Sequence, residues 1–495
     1  MLQRRGSAKD LVERYLTKKG IPSHIAVTFE DVTIVDQFSE IFSRSDEYID
    51  TGSHLGKGIF LKRPIFSANM RTITESKMAI AMARLGGCGV IHQFLPIQKR
   101  VAEVEKVKRA DSFVVKNPLT ISHEATVRTA RSIMNDYQIS GLIVTDENSG
   151  DVVGILSQRD VRWANDDDGV KNRMTALAEL IRAPSGIGMD EAKKILCEGR
   201  IEKLPLLDKE GKKCVGLITA SDILKTEKYK FAFRDKKGRL GVAAAVGIGD
   251  TMLNEIEKLL KAEADMILID TARGNSKRMR EAVLDARKNF GNELFLIAGN
   301  VDTPEGIEML YDAGTNLPKI GIGGGAACKT REGPGVGLPQ LWAVATCAAI
   351  ARKYKKSFIA DGGIKSPADY SKALAAGADA VMIGGIFAGT EETPGKVFYE
   401  DGEKWKIFEG SASVEFQISR TDRETSDDQI RAPEGVARRV KYRGEVSPIV
   451  QQLTGFQFSS MSYTGAKNMK ENHDKAKFQW QTRAGHEEGK PHDVF

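Results

Sequence analysis

Cys328 stands between two glycine-rich pieces, Gly323-Gly-Gly325 and Gly333-Pro-Gly-Val-Gly337, with Thr330 two residues further on and Arg331 beside it. A thiolate is an intrinsically strong nucleophile near neutral pH and can leave again after reaction. Flanking glycines let the backbone take positive φ and approach a ligand closely. The apolar run 318–322 ahead of the loop reads as a strand. The thiol is therefore expected at the C-terminal end of a strand, in a loop suited to a bound anionic substrate. A cysteine considered alone is more often buried and inert. The positions of the other polar residues change that balance.

Eight short apolar runs recur, at 64–69, 89–94, 240–246, 266–270, 294–300, 318–322, 357–361 and 380–384. Helical spacing fills most of the gaps, at 74–85, 252–264, 277–289, 304–313 and 367–376. A further amphipathic helix is expected over 1–20, with Leu11, Val12, Tyr15 and Leu16 on one face. Nearly all-apolar strands alternating with helices predict an α/β fold, a parallel (β/α)8 TIM barrel. Chemistry in that fold sits at the C-terminal ends of the strands. Asn69, His92, Gln93, Asp270, Asn300, Cys328, Asp361, Gly384 and Gly385 all fall there. One polar strand end is unremarkable; a set of them predicts an active site.

Between the second and third strands lies an insertion of different character, residues 112–228. Val153-Gly-Ile-Leu-Ser-Gln-Arg-Asp-Val-Arg162 recurs as Val215-Gly-Leu-Ile-Thr-Ala-Ser-Asp-Ile-Leu224. A helix and a short strand precede each copy, at 124–137 and 141–145, then at 189–198 and 203–207. This internal repeat resembles a tandem pair of CBS motifs, a Bateman domain. The resemblance implies purine-nucleotide binding, with Asp160 and Asp222 on ribose hydroxyls. Either aspartate alone reads as a cap on the helix that follows it. The expected organisation is 1–111 for the first part of the barrel, 112–228 for the regulatory pair and 229–495 for the rest of the barrel.

Composition narrows the class. The chain has 495 residues, 41% hydrophobic and 28% charged, with a net charge of +6. That charge is too small for this length to suggest a specific nucleic-acid partner. Five cysteines without paired spacing read as free thiols in a reducing, cytoplasmic setting. No apolar run approaches the ~20 residues of a membrane span.

The barrel half carries a more specific likeness. Gly321-Ile-Gly-Gly-Gly-Ala-Ala-Cys-Lys-Thr-Arg331 with Gly335-Val-Gly-Leu-Pro-Gln340 resembles the catalytic loop of the IMP dehydrogenase family. So do Val27-Thr-Phe-Glu-Asp-Val32, Asp270-Thr-Ala-Arg-Gly-Asn-Ser276, Ala298-Gly-Asn-Val301 and Asp361-Gly-Gly-Ile364. Gly384-Gly385, Gly389-Thr-Glu-Glu-Thr-Pro-Gly395, Pro433-Glu-Gly-Val436 and His492-Asp-Val494 extend it to the C-terminus. The resemblance implies NAD-dependent oxidation of IMP to XMP, the committed step of guanine nucleotide synthesis, through a covalent Cys328 thioimidate.

The resemblance also implies roles for individual residues. Asp361 would take the ribose diol of IMP, with Gly363, Gly384 and Gly385 at its phosphate and Ser67 in the substrate pocket. Asp270 and Asn300, with Gly321 and Gly323, would border the nicotinamide ribose. Thr330 would orient the hydrolytic water, with Glu434 as its proton relay. Carbonyls of Gly323, Gly325 and Cys328 would hold a potassium ion. A homotetramer is the implied assembly.

Two departures stand out. The family's phosphate-binding Ser, two residues before the cysteine, is Ala326 here. The flap, about 396–432, ordinarily carries an adjacent Arg-Tyr pair that activates water. Its best match is Asp422-Arg423-Glu424, which retains Arg423 and lacks the Tyr. GMP reductase, which shares the cysteine and the Thr/Glu pair and uses NADPH, is therefore the alternative. Ser67-Ala-Asn-Met70 leans toward the reductase; Gln93 after His92, where reductases carry Lys, leans away. A catalytically weakened purine-nucleotide sensor is a third possibility, set against the retained thiol.

Overall fold

In the fourth barrel strand, Met266–Asp270, side chains alternate between two cores. Met266 and Leu268 join an inner cluster with Phe66, Val90, Ala243, Ala245, Ile297, Leu317, Ile359 and Met382. Ile267 and Ile269 join an outer cluster with Ile65, Ile91, Ala244, Val246, Ala298, Ile320, Ala360 and Val381. This is the period-two rule of a strand buried on both faces. Eight such strands, Ile65–Ser67, Cys88–Ile91, Ala243–Val246, Met266–Asp270, Leu296–Val301, Leu317–Ile320, Ile359–Asp361 and Ala380–Ile383, form a closed barrel. All eight pairings are parallel, and the last strand pairs with the first. The computed structural model describes residues 7–111, 114–116, 118–137, 139–410 and 435–491.

Helices cover the outer face. Each buried Leu, Ile or Val side chain there contributes roughly 1.5–3 kcal/mol relative to exposure. Ser76–Arg84, Met252–Lys261, Lys277–Phe290, Pro304–Ala313, Gln340–Tyr354 and Pro367–Ala375 follow six of the strands. Their starts are written locally. Ser276, Thr303 and Ser366 accept from the amides three residues on, and Pro304 and Pro367 occupy the first turn, where no amide is needed. The N-terminal helix is Ala8–Lys19, opened by a Ser7–Asp10 capping box and closed by Gly20 at φ +72°. Lys19 is buried, its ammonium donating to the carbonyls of Ala375, His473 and Ala476.

The catalytic-loop strand ends at Ile320, two residues earlier than the sequence suggests. Gly321 turns to φ +142°, and a Cβ there would lie 2.0 Å from the Asp361 carbonyl. The expected flap is partly regular. Phe398–Glu400 and Glu403–Glu409 form an antiparallel three-stranded sheet with Ala437–Lys441. Arg423, Glu434 and His492 lie outside the described residues.

The chain divides into two compact units. One comprises Met1–Ala110, Phe231–Asp235 and Leu240–Phe495, the other Asp111–Lys230 and Lys236–Arg239. Within the second, Thr120–Ser122, Gly141–Thr145, Val152–Ser157 and Thr175–Ala176 form a four-stranded sheet, and Ala183–Pro184, Lys203–Leu207 and Cys214–Thr219 a three-stranded one. Val127–Asp136 and Met189–Gly199 are the corresponding helices of the repeat. No helix among the described residues is long and apolar enough to cross a membrane.

Candidate active site

The alternation that fills the barrel also loads its mouth. Asp270 continues the inward series of Met266 and Leu268, Lys319 that of Leu317, and Asp361 that of Ile359. Three charged residues thus form the uppermost inward layer. Lys319 Nζ lies 2.6 Å from Asp361 Oδ2 and 3.1 Å from Asp270 Oδ1. Gly299, on the neighbouring strand, makes room: a Cβ there would come within 2.7 Å of Lys319 Cβ. Burial alone would lower the Lys319 pKa, but the two carboxylates outweigh it and hold the ammonium above its ordinary value. Asn300 Nδ2 donates to Asp361 Oδ2 at 2.9 Å and to the Gly321 carbonyl at 2.6 Å. Gln93 Nε2 donates to Asp270 Oδ2 at 3.3 Å.

The glycine loop rises beside this layer. Gly363 donates its amide to the Gly324 carbonyl at 2.8 Å, and a Cβ on Gly362 would lie 3.2 Å from Gly325 N. Gln340, at the start of its helix, donates to the Ile320 carbonyl, and Asp302 accepts from Leu338 N at 3.0 Å. These two bonds tie down the far end of the loop. Burial raises the Asp302 pKa, against the Leu338 amide. The Arg331 stem packs beneath Gly323 and Gly337, where any side chain would collide with it.

Cys328 is exposed, and its Sγ lies 3.1 Å from Thr330 Oγ1. Its amide donates to the Gly325 carbonyl at 3.0 Å. Gly435 pairs with Cys328 as an antiparallel bridge, and Val436 N donates to the Ala327 carbonyl. The thiol is therefore held from both sides and open to a ligand. Cys88 and Cys347 differ: burial drives both thiols well above their ordinary pKa, so they stay protonated and inert.

Most of the expected site residues converge here. Asp270, Asn300, Gly321, Gly323, Gly325, Cys328, Thr330, Asp361 and Gly363 share the mouth. Gly385 faces Ala326, their separation leaving no space for a side chain, and Gly384 faces Met70 and Ala68. Ser67 is placed differently. Phe66 and Ala68 belong to the inner cluster, so Ser67 turns outward, fully buried, and accepts from Thr74 Oγ1 at 2.8 Å. The Gly363 amide, expected at a phosphate, is already given to Gly324. In the insertion Asp160 is the third residue of its helix rather than the cap: Ser157 is the cap, and Asp160 accepts from the Ser157 amide and hydroxyl. Asp222 likewise accepts from Thr219 Oγ1.

Lys319 was not singled out from the sequence. The available signal was a lysine inside a strand that is otherwise apolar, Leu317–Ile320, where a charge requires a buried partner.

Comparisons with known proteins agree with this geometry. The family model described as "IMP dehydrogenase / GMP reductase domain" matches residues 26–492. Inosine-5'-monophosphate dehydrogenase of Aquifex aeolicus is 45% identical over 94% of this chain and 95% of its own length. That of Nitrosopumilus maritimus is 42% identical over 95% of this chain and 98% of its own. Among solved structures, a variant of Trypanosoma brucei GMP reductase in complex with guanosine 5'-monophosphate has a TM-score of 0.90 at 36% identity. It covers 96% of this chain and 99% of its own. A buried ammonium shared by two strand-end carboxylates, beside an exposed cysteine on a glycine loop, is thus found in a chain that belongs to the IMP dehydrogenase/GMP reductase family.

Proposed function

We propose that this chain oxidises IMP to XMP with NAD. The observation that carries the reading is the exposed Cys328, 3.1 Å from the Thr330 hydroxyl, beside a strand-end carboxylate held by Lys319 and Asn300. The relatives from Aquifex aeolicus and Nitrosopumilus maritimus, matched over nearly their full length, support it. Cys328 adds as a thiolate to C2 of the hypoxanthine ring, and the Thr330 hydroxyl stabilises that thiolate by donating to it. NAD, when bound, supplies the acceptor for the hydride leaving C2. Water then attacks the Cys328 thioimidate, releasing XMP and returning the thiol. Thr330 orients that water, with Glu434 as relay and Arg423 as the flap residue that activates it.

Asp361 holds the IMP ribose: Lys319 and Asn300 occupy its Oδ2, so its Oδ1 is directed to the ligand. Gly384 and Gly385 offer amides to the phosphate. The Ala326 position removes one hydroxyl donor, worth roughly 0.5–1.5 kcal/mol. Asp270 accepts from the nicotinamide ribose. Carbonyls of Gly323, Gly325 and Cys328 suit potassium, a hard cation; the Gly325 oxygen gives one lone pair to the Cys328 amide and keeps another. We further read 112–228 as a CBS pair that binds purine nucleotides, in a cytoplasmic homotetramer. The Trypanosoma brucei relative, at 33% identity, has been solved in complex with GTP, which makes GTP the first nucleotide to try.

GMP reduction by NADPH is the second reading. It is favoured by the missing Tyr after Arg423 and by the fit to the Trypanosoma brucei enzyme. The test is near-ultraviolet absorbance with IMP, NAD and potassium over many turnovers. Sustained NADH formation supports the dehydrogenase. A burst equal to the enzyme present means hydride transfer without hydrolysis. No NADH, with NADPH consumed on adding GMP, transfers the assignment to the reductase.

A further inference from the structure

Lys319 is 3% exposed and has no part in the chemistry described above. Its ammonium stands between two carboxylates assigned to different ligands, Asp361 to the ribose of the purine nucleotide and Asp270 to the ribose of the dinucleotide. We propose that Lys319 is a positioning residue that couples the two nucleotide sites through one shared positive charge. The assignment of each carboxylate to its ribose rests on the function proposed above.

Two inward-facing carboxylates at one barrel mouth repel each other unless a positive charge stands between them. The ammonium, 2.6 Å from Asp361 and 3.1 Å from Asp270, offsets that repulsion and gives each carboxylate a charge-assisted bond. It cannot follow either carboxylate away: the lysine backbone lies in a barrel strand, and Gly299 fits against its Cβ. The amides of Asn300 and Gln93 fix one carboxylate each, whereas Lys319 touches both. A hydroxyl donated to Asp361 draws on the negative charge that this group shares with the ammonium. Lys319 then pairs more firmly with Asp270 and holds it ready for the second ribose. Linkage makes the effect reciprocal.

Isothermal titration of the full chain tests this. Cys328→Ala is used throughout, so that mixtures of IMP and NAD do not react. The quantities read are the Kd of IMP, the Kd of NAD, and the factor by which each ligand changes the other. Lys319→Met is expected to weaken both ligands by at least about tenfold, as loss of a charge-assisted bond at each site implies, and to bring the mutual factor to one. Asp270→Asn should weaken NAD alone. Lys319→Met/Asp270→Asn should bind IMP better than Lys319→Met, because Asp361 no longer faces a second carboxylate, yet more weakly than Asp270→Asn.

Lys319→Met affecting one ligand only, or leaving the mutual factor intact, would overturn the coupling. If Lys319→Met does not fold, the charge-balanced pair decides: IMP binding equal to that of Asp270→Asn overturns it, and weaker binding supports it. If the unsubstituted protein turns over GMP and NADPH, the same titrations are run with those nucleotides. An unsubstituted protein that binds neither IMP nor GMP sinks the proposed function. Normal binding by the parent with unchanged variants sinks only the coupling.

Discussion

Asp270 and Asp361 at the barrel mouth and Asp160 and Asp222 in the insertion are the same residue type at comparable places, where a strand gives way to the next element. Their partners differ in kind. The barrel pair face inward and share an ammonium supplied by a third strand, Lys319 and Asp361 being 42 positions apart in the chain. The insertion pair reach back three residues to Ser157 and Thr219 and close their own helix starts. A carboxylate held by a distant charge is fixed by the tertiary fold. One occupied by its own capping box is fixed by local sequence. The difference teaches that a strand-end aspartate signals a site only when its partner comes from elsewhere in the fold.

The largest effect should come from the thiol beside the barrel pair. Cys328→Ala should reduce turnover at least about 10³-fold, since Cys328 carries the exposed thiol beside the strand ends among the described residues. Thermal stability should hold, because the side chain is exposed. Steady-state assays on enzyme that melts normally check this. Surviving turnover would remove the reason for treating the mouth as the chemical centre.

Asp361→Ala removes the proposed ribose acceptor together with its bonds to Lys319 and Asn300. Charged hydrogen bonds of this kind contribute about 1.5–3 kcal/mol each, so kcat/KM for the purine nucleotide should fall roughly 10²-fold or more. The loss should appear mainly in KM. A change in kcat alone would mean that Asp361 acts on the reacting atoms rather than on the ribose.

A fifth aspartate sharpens the comparison from the opposite end of the barrel. Asp379 precedes the strand Ala380–Ile383 and accepts from Phe358 N at 3.1 Å. Burial raises its pKa from 3.8 to about 6, with the Arg352 charge and the Phe358 amide opposing. A carboxyl whose folded pKa is raised stabilises fully below its unfolded value, and that contribution is lost as pH climbs through the folded one. Asp379→Asn cannot ionise. Relative to the parent it should therefore gain stability between about pH 4 and pH 6.5, on the order of 2 kcal/mol, and hold that gain above it. Denaturation midpoints of the two proteins across that range provide the measurement. A constant difference would mean that Asp379 stays ionised in the fold.

Much of this was legible in the sequence because the barrel repeats one rule. Recurrent apolar runs marked the eight strands, and the polar residues at or just after their ends placed Asp270, Asn300, Cys328 and Asp361 at one mouth. Periodicity could not show partnership. Lys319 lies in a run that reads as buried, and nothing local says that two carboxylates 49 residues before it and 42 after it would meet its ammonium. The placement of Ser67 was hidden for a related reason: a strand's inward phase is set by its neighbours, and Phe66 takes the lumen. The strand before the catalytic loop was read two residues too long because Ile322 is apolar. The close approach of Gly321 to the Asp361 backbone, which ends it, is a contact across strands.

The smallest effect belongs to the insertion and puts the comparison at most risk. Asp160→Ala removes one half of a capping box whose other half, Ser157, remains. A lost helix-start interaction costs about 0.5–2 kcal/mol, here toward the lower end, since the Ser157 hydroxyl can still accept from the backbone. Thermal denaturation should show a modest loss, and turnover of the substrate in the absence of GTP should not change. Asp160 is under two demands: its Oδ2 already takes the Ser157 amide at 2.7 Å and hydroxyl at 2.6 Å, so a ribose would have to share that oxygen or use Oδ1. Titrating GTP into parent and variant separates the two uses. A small stability loss with unchanged GTP affinity leaves Asp160 a local cap and keeps the two regions distinct. Loss of GTP binding with no loss of stability would make Asp160 a ligand-holding carboxylate like Asp361, and a short-range partner would then no longer mark a residue as structural.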